Sequence, residues 1–301
     1  MKKILLVYNP VSGHAAFKHR IDQIVDACQR RGILLSMYRT RRRDWSDFER
    51  CVVESGAEGL IAAGGDGTLH AVVNAVMKSS IEIPIGIIGS GTSNDFATHL
   101  GINDLNRYFD AVADGHTRAV DVGIVNGREY FINVAGAGML TSIAHEVNTK
   151  LKNSLGKPAY YLRAVCEIPK FRSHSIKVAA DGVEFELDAF LFVVLNSPTV
   201  AGLNNAAGFA SIDDGKLDFI AVRRCSTKRL LTLTRDLFSG RGVLDDDVIF
   251  KLASKRFYIS SEEKLISDLD GEAGDELPIE IDTLPRAVEI FVQLDAAQRN
   301  G

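Results

Sequence analysis

Residues 59–76, GLIAAGGDGTLHAVVNAV, admit very few folds. A short apolar run enters two glycines, and helical periodicity sets in after Gly67 and Thr68. A strand that turns through a glycine loop into a helix is the building unit of an α/β sheet, and the free N–H groups of such a helix attract phosphate. Yet this loop holds an acid, Asp66, where a phosphate cradle often carries a lysine. A carboxylate beside polyphosphate needs a physical reason.

The same grammar fills the first third of the chain. KILLVYN reads as a strand; Phe17, Ile21, Ile24, Val25 and Cys28 then recur at helical spacing, and Gly32 supplies a stop. ILLSMYR is a second strand, and DWSDFERCVVES is helical with Trp45, Phe48 and Val52 on one face. GLIAA and IPIGIIG are the third and fourth strands, followed by TLHAVVNAVMK and SGTSNDFATHLGI. Strands alternating with helices predict a parallel sheet with helices on both faces, where ligands bind beyond the carboxyl ends of the strands.

From about residue 117 the pattern changes. RAVDVGIVNGREYFINVAG and SIKVAADGVEFELDAFLFVVLNS read as hairpins about Asn126-Gly127 and Asp181-Gly182. Between them lies a helical interlude over 141–171. GKLDFIAVRR, RFYISSEEKLISDLDGE and PRAVEIFVQL add strands, so a second, mostly antiparallel domain is expected.

Three polar loops follow strand ends on one edge of the first sheet: NPVSG (9–13), GGDGT (64–68) and GSGTSNDFATHLG (89–101). Gly65 and Gly67 permit φ > 0 and close backbone approach to a ligand. Taken singly, each loop is also an ordinary turn, and Ser93 or Asn94 an ordinary helix cap. Together on one edge they form a candidate site. No G-x-x-x-x-G-K-[ST] and no full G-x-G-x-x-G occurs, which disfavours a P-loop NTPase and an ordinary dinucleotide dehydrogenase. His14 and His70 follow the first two loops but have no nucleophile or metal trio beside them, and receive no role.

The net charge of −4 offers no global field for nucleic acid. The run RTRRRD (39–44) is a local exception, either a solvated loop or an anion-steering patch. Cys28, Cys51, Cys166 and Cys225 are widely spaced and read as reduced thiols of a cytoplasmic protein. The apolar start MKKILLVYNP stops too early for a signal peptide, and AFLFVVL (189–195) is far short of a bilayer span. Any membrane contact is therefore expected from the surface.

NPVSG, GGDGTLHAVVNAV, GTSNDFATHLGI, RAVDVG, LGKPAYY, IDDGKLDF and LDGE, in this order, resemble the bacterial diacylglycerol kinase and lipid kinase family, which is related to the sphingosine and ceramide kinases. The resemblance implies ATP-dependent transfer of a phosphoryl group to a lipid hydroxyl, with Mg²⁺. It implies an α/β class fold: a parallel-sheet nucleotide-binding domain over 1–126, completed by 286–301, and an antiparallel β-sandwich over 127–285. It places nucleotide contacts at Asn9, Pro10, Ser12, Gly13, Thr40, Gly64, Gly65, Asp66, Gly67, Thr68, Gly91, Thr92 and Asn94. Asp66 and Asp121 become acids of a metal network, and the opening question is answered, because a divalent cation stands between carboxylate and phosphate.

The resemblance also implies that Asp270 and Glu272, in the D-G-E pattern, supply the base for the attacking hydroxyl. The same residues also suit a plain Asp-Gly turn. ASIDDGKLD resembles a separate metal loop, with a carboxylate from Asp214 and backbone carbonyls from Ser211 and Lys216; a plain turn is the alternative there too. Several positions depart from the family pattern: Thr98 and His99 stand where arginine is usual, Ala71 and Ala75 replace frequent glutamate and glycine, and AGLNNAAGFA replaces a glycine-rich segment. These departures fall on the acceptor side and leave the acceptor's identity open. The expected partners are a lipid substrate met peripherally at the membrane surface and no nucleic acid, with room for a homodimer. The rival readings are an NAD kinase or other small-molecule kinase of the same fold, and a non-catalytic lipid- or nucleotide-binding regulator.

Overall fold

The computed structural model describes residues 1–10, 20–41, 45, 47–89, 95–102, 104–138, 172–199, 210–238 and 247–293. The helical interlude expected over 141–171 lies outside them. The chain divides into two compact units, Met1–Val120 with Arg286–Gly301, and Asp121–Pro285. The first division falls six positions before the expected residue 126, inside strand β5 (Thr117–Val125). The reason is pairing: Gly123, Ile124 and Val125 ladder with β6 (Glu129–Phe131), which carries the end of β5 into the second unit.

In the first unit, β1 (Lys2–Tyr8), β2 (Ile33–Arg39), β3 (Gly59–Gly64) and β4 (Ile85–Gly89) are parallel in the order β2-β1-β3-β4. The end of β15 (Ile279–Phe291) adds a parallel contact at Ile290 opposite Ile85. β3 is buried along its whole length, as a central strand covered on both faces must be. The helices are α1 (Ile21–Arg30), α2 (Phe48–Glu54), α3 (Asp66–Ser79), α4 (Asp95–His99) and α5 (Leu105–Asp114). Ile24 and Cys28 of α1 and Tyr108, Phe109 and Val112 of α5 close one core with Ile4, Leu6, Ile61, Ala63 and Phe291.

α2 and α5 depart from the sequence expectation. α2 begins at Phe48 rather than at Asp44, leaving Trp45 outside the helix with its ring edge-on to Phe48 at 5.2 Å. α5 was not anticipated, although its local signals are present. The Asp104 side chain accepts from the amides of Asn106 and Arg107, and Gly115 (φ +79°) ends the helix.

The second unit is antiparallel. β7 (Val134–Gly138), β8 (His174–Ala180), β9 (Val183–Leu195), β12 (Arg256–Ser261), β13 (Ile266–Leu269) and β14 (Glu272–Glu276) pair in the order β14-β13-β7-β9-β8-β12, and β12 then pairs with the start of β15. β10 (Leu217–Arg223) lies between β9 and β11 (Ile249–Ser254). Asp181-Gly182 and Asp270-Gly271 have positive φ at both positions, the requirement of a two-residue hairpin turn that matches strand twist, and Asn126-Gly127 has the same within a three-residue loop between Val125 and Glu129. Phe219 anchors the core, with ring centroids 5.7 Å from Phe192 and 5.9 Å from Phe257. β11 and helix α6 (Thr227–Phe238) were missed in the sequence; Leu230 of α6 packs on Phe190. Among the described residues, no helix is long and apolar enough to cross a membrane.

Candidate active site

In the first unit, strand register assembles the loops. Tyr8 lies opposite both Arg39 and Ala63, and Gly64 lies opposite Gly89, so four strands end on one edge. The ladder runs one residue further: the Asn9 N–H donates to the Ala63 carbonyl at 3.0 Å, and the Thr40 N–H to the Tyr8 carbonyl at 3.0 Å. Asn9, Pro10, Thr40 and Gly64 to Thr68 therefore emerge together, across about 10 Å of sheet edge at one strand spacing per step. Ser12, Gly13, Gly91, Thr92 and Asn94 lie outside the described residues.

The GGDGT loop is tighter than expected. α3 starts at Asp66, two residues before Thr68, so the acid occupies the first helical turn. Gly65 (φ −91°) and Gly67 do not use the left-handed conformation that glycine permits. The constrained glycine is Gly64, where a Cβ would stand 2.2 Å from Thr68 Oγ1 and 2.6 Å from Thr68 Cβ. Thr68 is buried, and its N–H donates to the Gly65 carbonyl at 2.9 Å. The first turn of α3 is thus pressed against the strand end. Among the described residues no side-chain hydrogen bond caps this helix, and its positive end favours an anionic ligand.

Asp66 also reaches the third loop. Its Oδ1 accepts from the backbone N–H of Asp95 at 3.0 Å, at the start of α4. Asp95 is buried and was not among the expected site residues. The only local signal for it was its position directly after Asn94.

In the second unit, the D-G-E segment separates its two acids. Asp270 and Gly271 form the turn between β13 and β14, but Asp270 is only 6% exposed. Its carboxylate accepts from the N–H groups of Ile132 (2.9 Å), Asn133 (3.0 Å) and Val134 (2.9 Å). A carboxylate offers about four acceptor positions, so backbone donors take most of them. Glu272, at the start of β14, is exposed.

Asp121, in β5, is fully buried and bonded to the IDDG loop (212–215). Its N–H donates to the Ile212 carbonyl at 2.6 Å, and its Oδ2 accepts from the Gly215 N–H at 2.6 Å. Within that loop, the Ser211 hydroxyl donates to Asp213 Oδ1, and Asp214 Oδ1 accepts from the Lys216 N–H, each at 3.0 Å. Burial first, and then the charge of Asp214, pushes the Asp218 carboxyl up to about 6 against the opposing pull of Lys216. This crowding of acids suits a cation. Among the described residues no three His, Cys, Asp or Glu side chains could hold one together. A metal here therefore needs backbone oxygens as well, such as the Ser211 and Lys216 carbonyls, and an all-oxygen set of that kind fits Mg²⁺ or Ca²⁺.

Known proteins share both units. The diacylglycerol kinase catalytic domain matches residues 3–125, and the YegS C-terminal NAD kinase beta sandwich-like domain matches residues 133–292. The chain is 33% identical to a diacylglycerol kinase of Bacillus subtilis (strain 168), covering 99% of each chain. It is 31% identical to a diacylglycerol kinase of Staphylococcus carnosus (strain TM300), covering 98% of this chain and 96% of that one. A solved structure of a diacylglycerol kinase from Bacillus anthracis str. Sterne superposes with a TM-score of 0.76 at 23% identity, covering 98% of both chains, which shows the shared fold. A second structure from the same organism reaches a TM-score of 0.83 at 26% identity, covering 98% of this chain and 96% of that one.

Proposed function

The chain belongs to the diacylglycerol kinase family, and we propose that it transfers the γ-phosphoryl group of ATP to the free hydroxyl of diacylglycerol, using Mg²⁺. The observation that carries the assignment of roles is the Asp270 turn. Three backbone donors hold one acid of the D-G-E pattern in place, while the other, Glu272, is exposed. Asp270 is then a positioning residue and Glu272 the base.

The residues of the first unit bind and orient the phosphates. The uncapped first turn of α3 and the backbone around Asn9 and Thr40 supply polar groups at the strand ends. Bound Mg²⁺ supplies neutralisation of the phosphate charge. Asp66 is suited to face it, because its carboxylate stands on the positive end of α3 and is oriented by the Asp95 amide. The lipid hydroxyl gives its proton to Glu272 as its oxygen bonds to the γ-phosphorus. The bond from that phosphorus to the bridging oxygen breaks, and ADP leaves. The lipid is met peripherally, at the membrane surface.

The test is formation of phosphatidate from purified protein, ATP, Mg²⁺ and diacylglycerol in mixed micelles, with ceramide, sphingosine and NAD assayed in parallel. Phosphorylation of diacylglycerol above the other acceptors supports the reading. Phosphorylation of NAD alone would overturn it.

A further inference from the structure

Asn196, which follows β9 directly, is fully buried and belongs to no motif of the sequence. Its side-chain Nδ2 donates to the Asp121 carbonyl at 2.7 Å and to the Ile132 carbonyl at 2.8 Å. Its backbone N–H donates to the Asn133 carbonyl at 2.9 Å. Two carbonyl partners accept only from an N–H group, so they fix which end of the amide faces them. The other end, Oδ1, is buried with no hydrogen-bond partner among the described residues. Leaving a buried amide oxygen unpaired is unfavourable, and such groups in a native site call for an explanation.

The partners of Asn196 suggest one. Asp121 gives its carbonyl to Asn196 and its carboxylate to Gly215 of the 211–216 loop. Ile132 gives its carbonyl to Asn196 and its N–H to Asp270. An unbroken hydrogen-bonded chain therefore runs Gly215–Asp121–Asn196–Ile132–Asp270, with every link between 2.6 and 2.9 Å. The adjoining amide Asn133 is itself held, by the Ser197 hydroxyl and the Thr199 carbonyl. The segment 132–134 thus has little freedom to move without Asn196.

We propose that Asn196 is a positioning residue of the transfer reaction: it sets the spacing between the acidic 211–216 loop and the amides that hold Asp270, so that cation occupancy of the loop tightens the turn carrying Glu272. This rests on the kinase reading of residues 270–272 given above.

The test combines hydrogen exchange and kinetics on the full chain. In the wild-type protein without nucleotide or lipid, Mg²⁺ titrated against EDTA should slow exchange at the Asn133 and Val134 amides by about 10-fold. Unchanged exchange there would overturn the proposal, whatever the variants do. Asn196→Ala removes both donors without adding charge. Its kcat on diacylglycerol should fall by about 10-fold or more, its KM for ATP should stay within about twofold, and Mg²⁺ should no longer protect the two amides. A purely structural role would instead lower Tm and leave the kcat of the folded fraction intact, which also overturns the proposal. Asn196→Asp sets a carboxylate against two carbonyl oxygens and should lose more than Asn196→Ala. Mg²⁺-dependent protection in a protein that phosphorylates no lipid would sustain the coupling while the kinase reading failed.

Discussion

The backbone N–H of Asp95 lies 3.0 Å from Oδ1 of Asp66, so an acid in the first turn of α3 caps the start of α4. The start of α4 is thereby fixed to the GGDGT segment across 29 positions. The bond uses one oxygen of the carboxylate and orients the group on the positive end of α3. Stability and charge are therefore separable at this position. Asp66→Asn should retain an acceptor for the Asp95 amide and keep Tm close to that of wild type. Asp66→Ala should lose about 1 kcal/mol, the usual worth of such a cap. Both should reduce phosphatidate formation by about 10²-fold or more, since neither retains the charge that the proposed mechanism sets toward the metal. Parent-rate turnover by Asp66→Asn would remove the metal role.

The two acids of the D-G-E segment should behave differently. Glu272→Gln should lower kcat by on the order of 10²-fold with Tm unchanged, because the side chain is exposed. Asp270→Ala should cost on the order of 3 kcal/mol, since buried N–H groups at 132–134 lose their acceptor. Urea unfolding alongside initial rates distinguishes them, and an unaltered kcat in Glu272→Gln would return the base to Asp270.

A cation in the 211–216 loop binds the folded state alone and should stabilise the second unit by mass action. EDTA should therefore lower the Tm of wild type more than that of Asp214→Ala. Equal shifts, followed by circular dichroism, would reduce the loop to an ordinary turn.

The glycines of the nucleotide loop should separate as well. Gly64→Ala forces a methyl against the buried Thr68 side chain and should destabilise by about 1–3 kcal/mol. Gly65→Ala meets no backbone strain, because its φ of −91° is open to any residue. Comparison of the two urea midpoints checks this. Equal losses would mean that Thr68 yields to the methyl.

One ion pair should mark acid stability. Hydrogen bonds from Asn126 (2.6 Å) and Arg128 (2.5 Å) hold the Asp275 carboxyl below the usual carboxylate range. A carboxyl lowered by folding stabilises fully above its unfolded pKa of about 3.9, and that contribution is lost as pH falls through the lower folded value. The Tm difference between wild type and Asp275→Asn should accordingly be constant at neutral pH and shrink in acid below that range. A difference that grows on acidification would contradict the sign.

Much of this protein is legible as a sequence. The alternation of apolar strands and amphipathic helices, the Asn-Gly and Asp-Gly hairpin turns and the order of NPVSG, GGDGT and LDGE are local properties, set by side-chain periodicity and backbone sterics within a few residues. The family and the two-part architecture follow from them. α5 is marked locally as well, by Asp104 at its start and Gly115 at its end.

What only the tertiary structure decided is how each acid is held. Asp270 and Glu272 are two residues apart, and nothing local distinguishes a base from a turn acid. The donors that capture Asp270 come from residues 132–134, some 138 positions away for Ile132. They arrive because β13 pairs with β7, Leu269 opposite Ala135. Asp121 likewise meets Gly215 across 94 positions, and Asn196 joins both sites from a stretch with no motif at all. Glycine sterics, helical periodicity and turn conformation are paid out along the chain and can be read there. A carboxylate's role depends on which backbone N–H groups long-range strand pairing places within 3 Å of it, and that is decided only when the sheet closes.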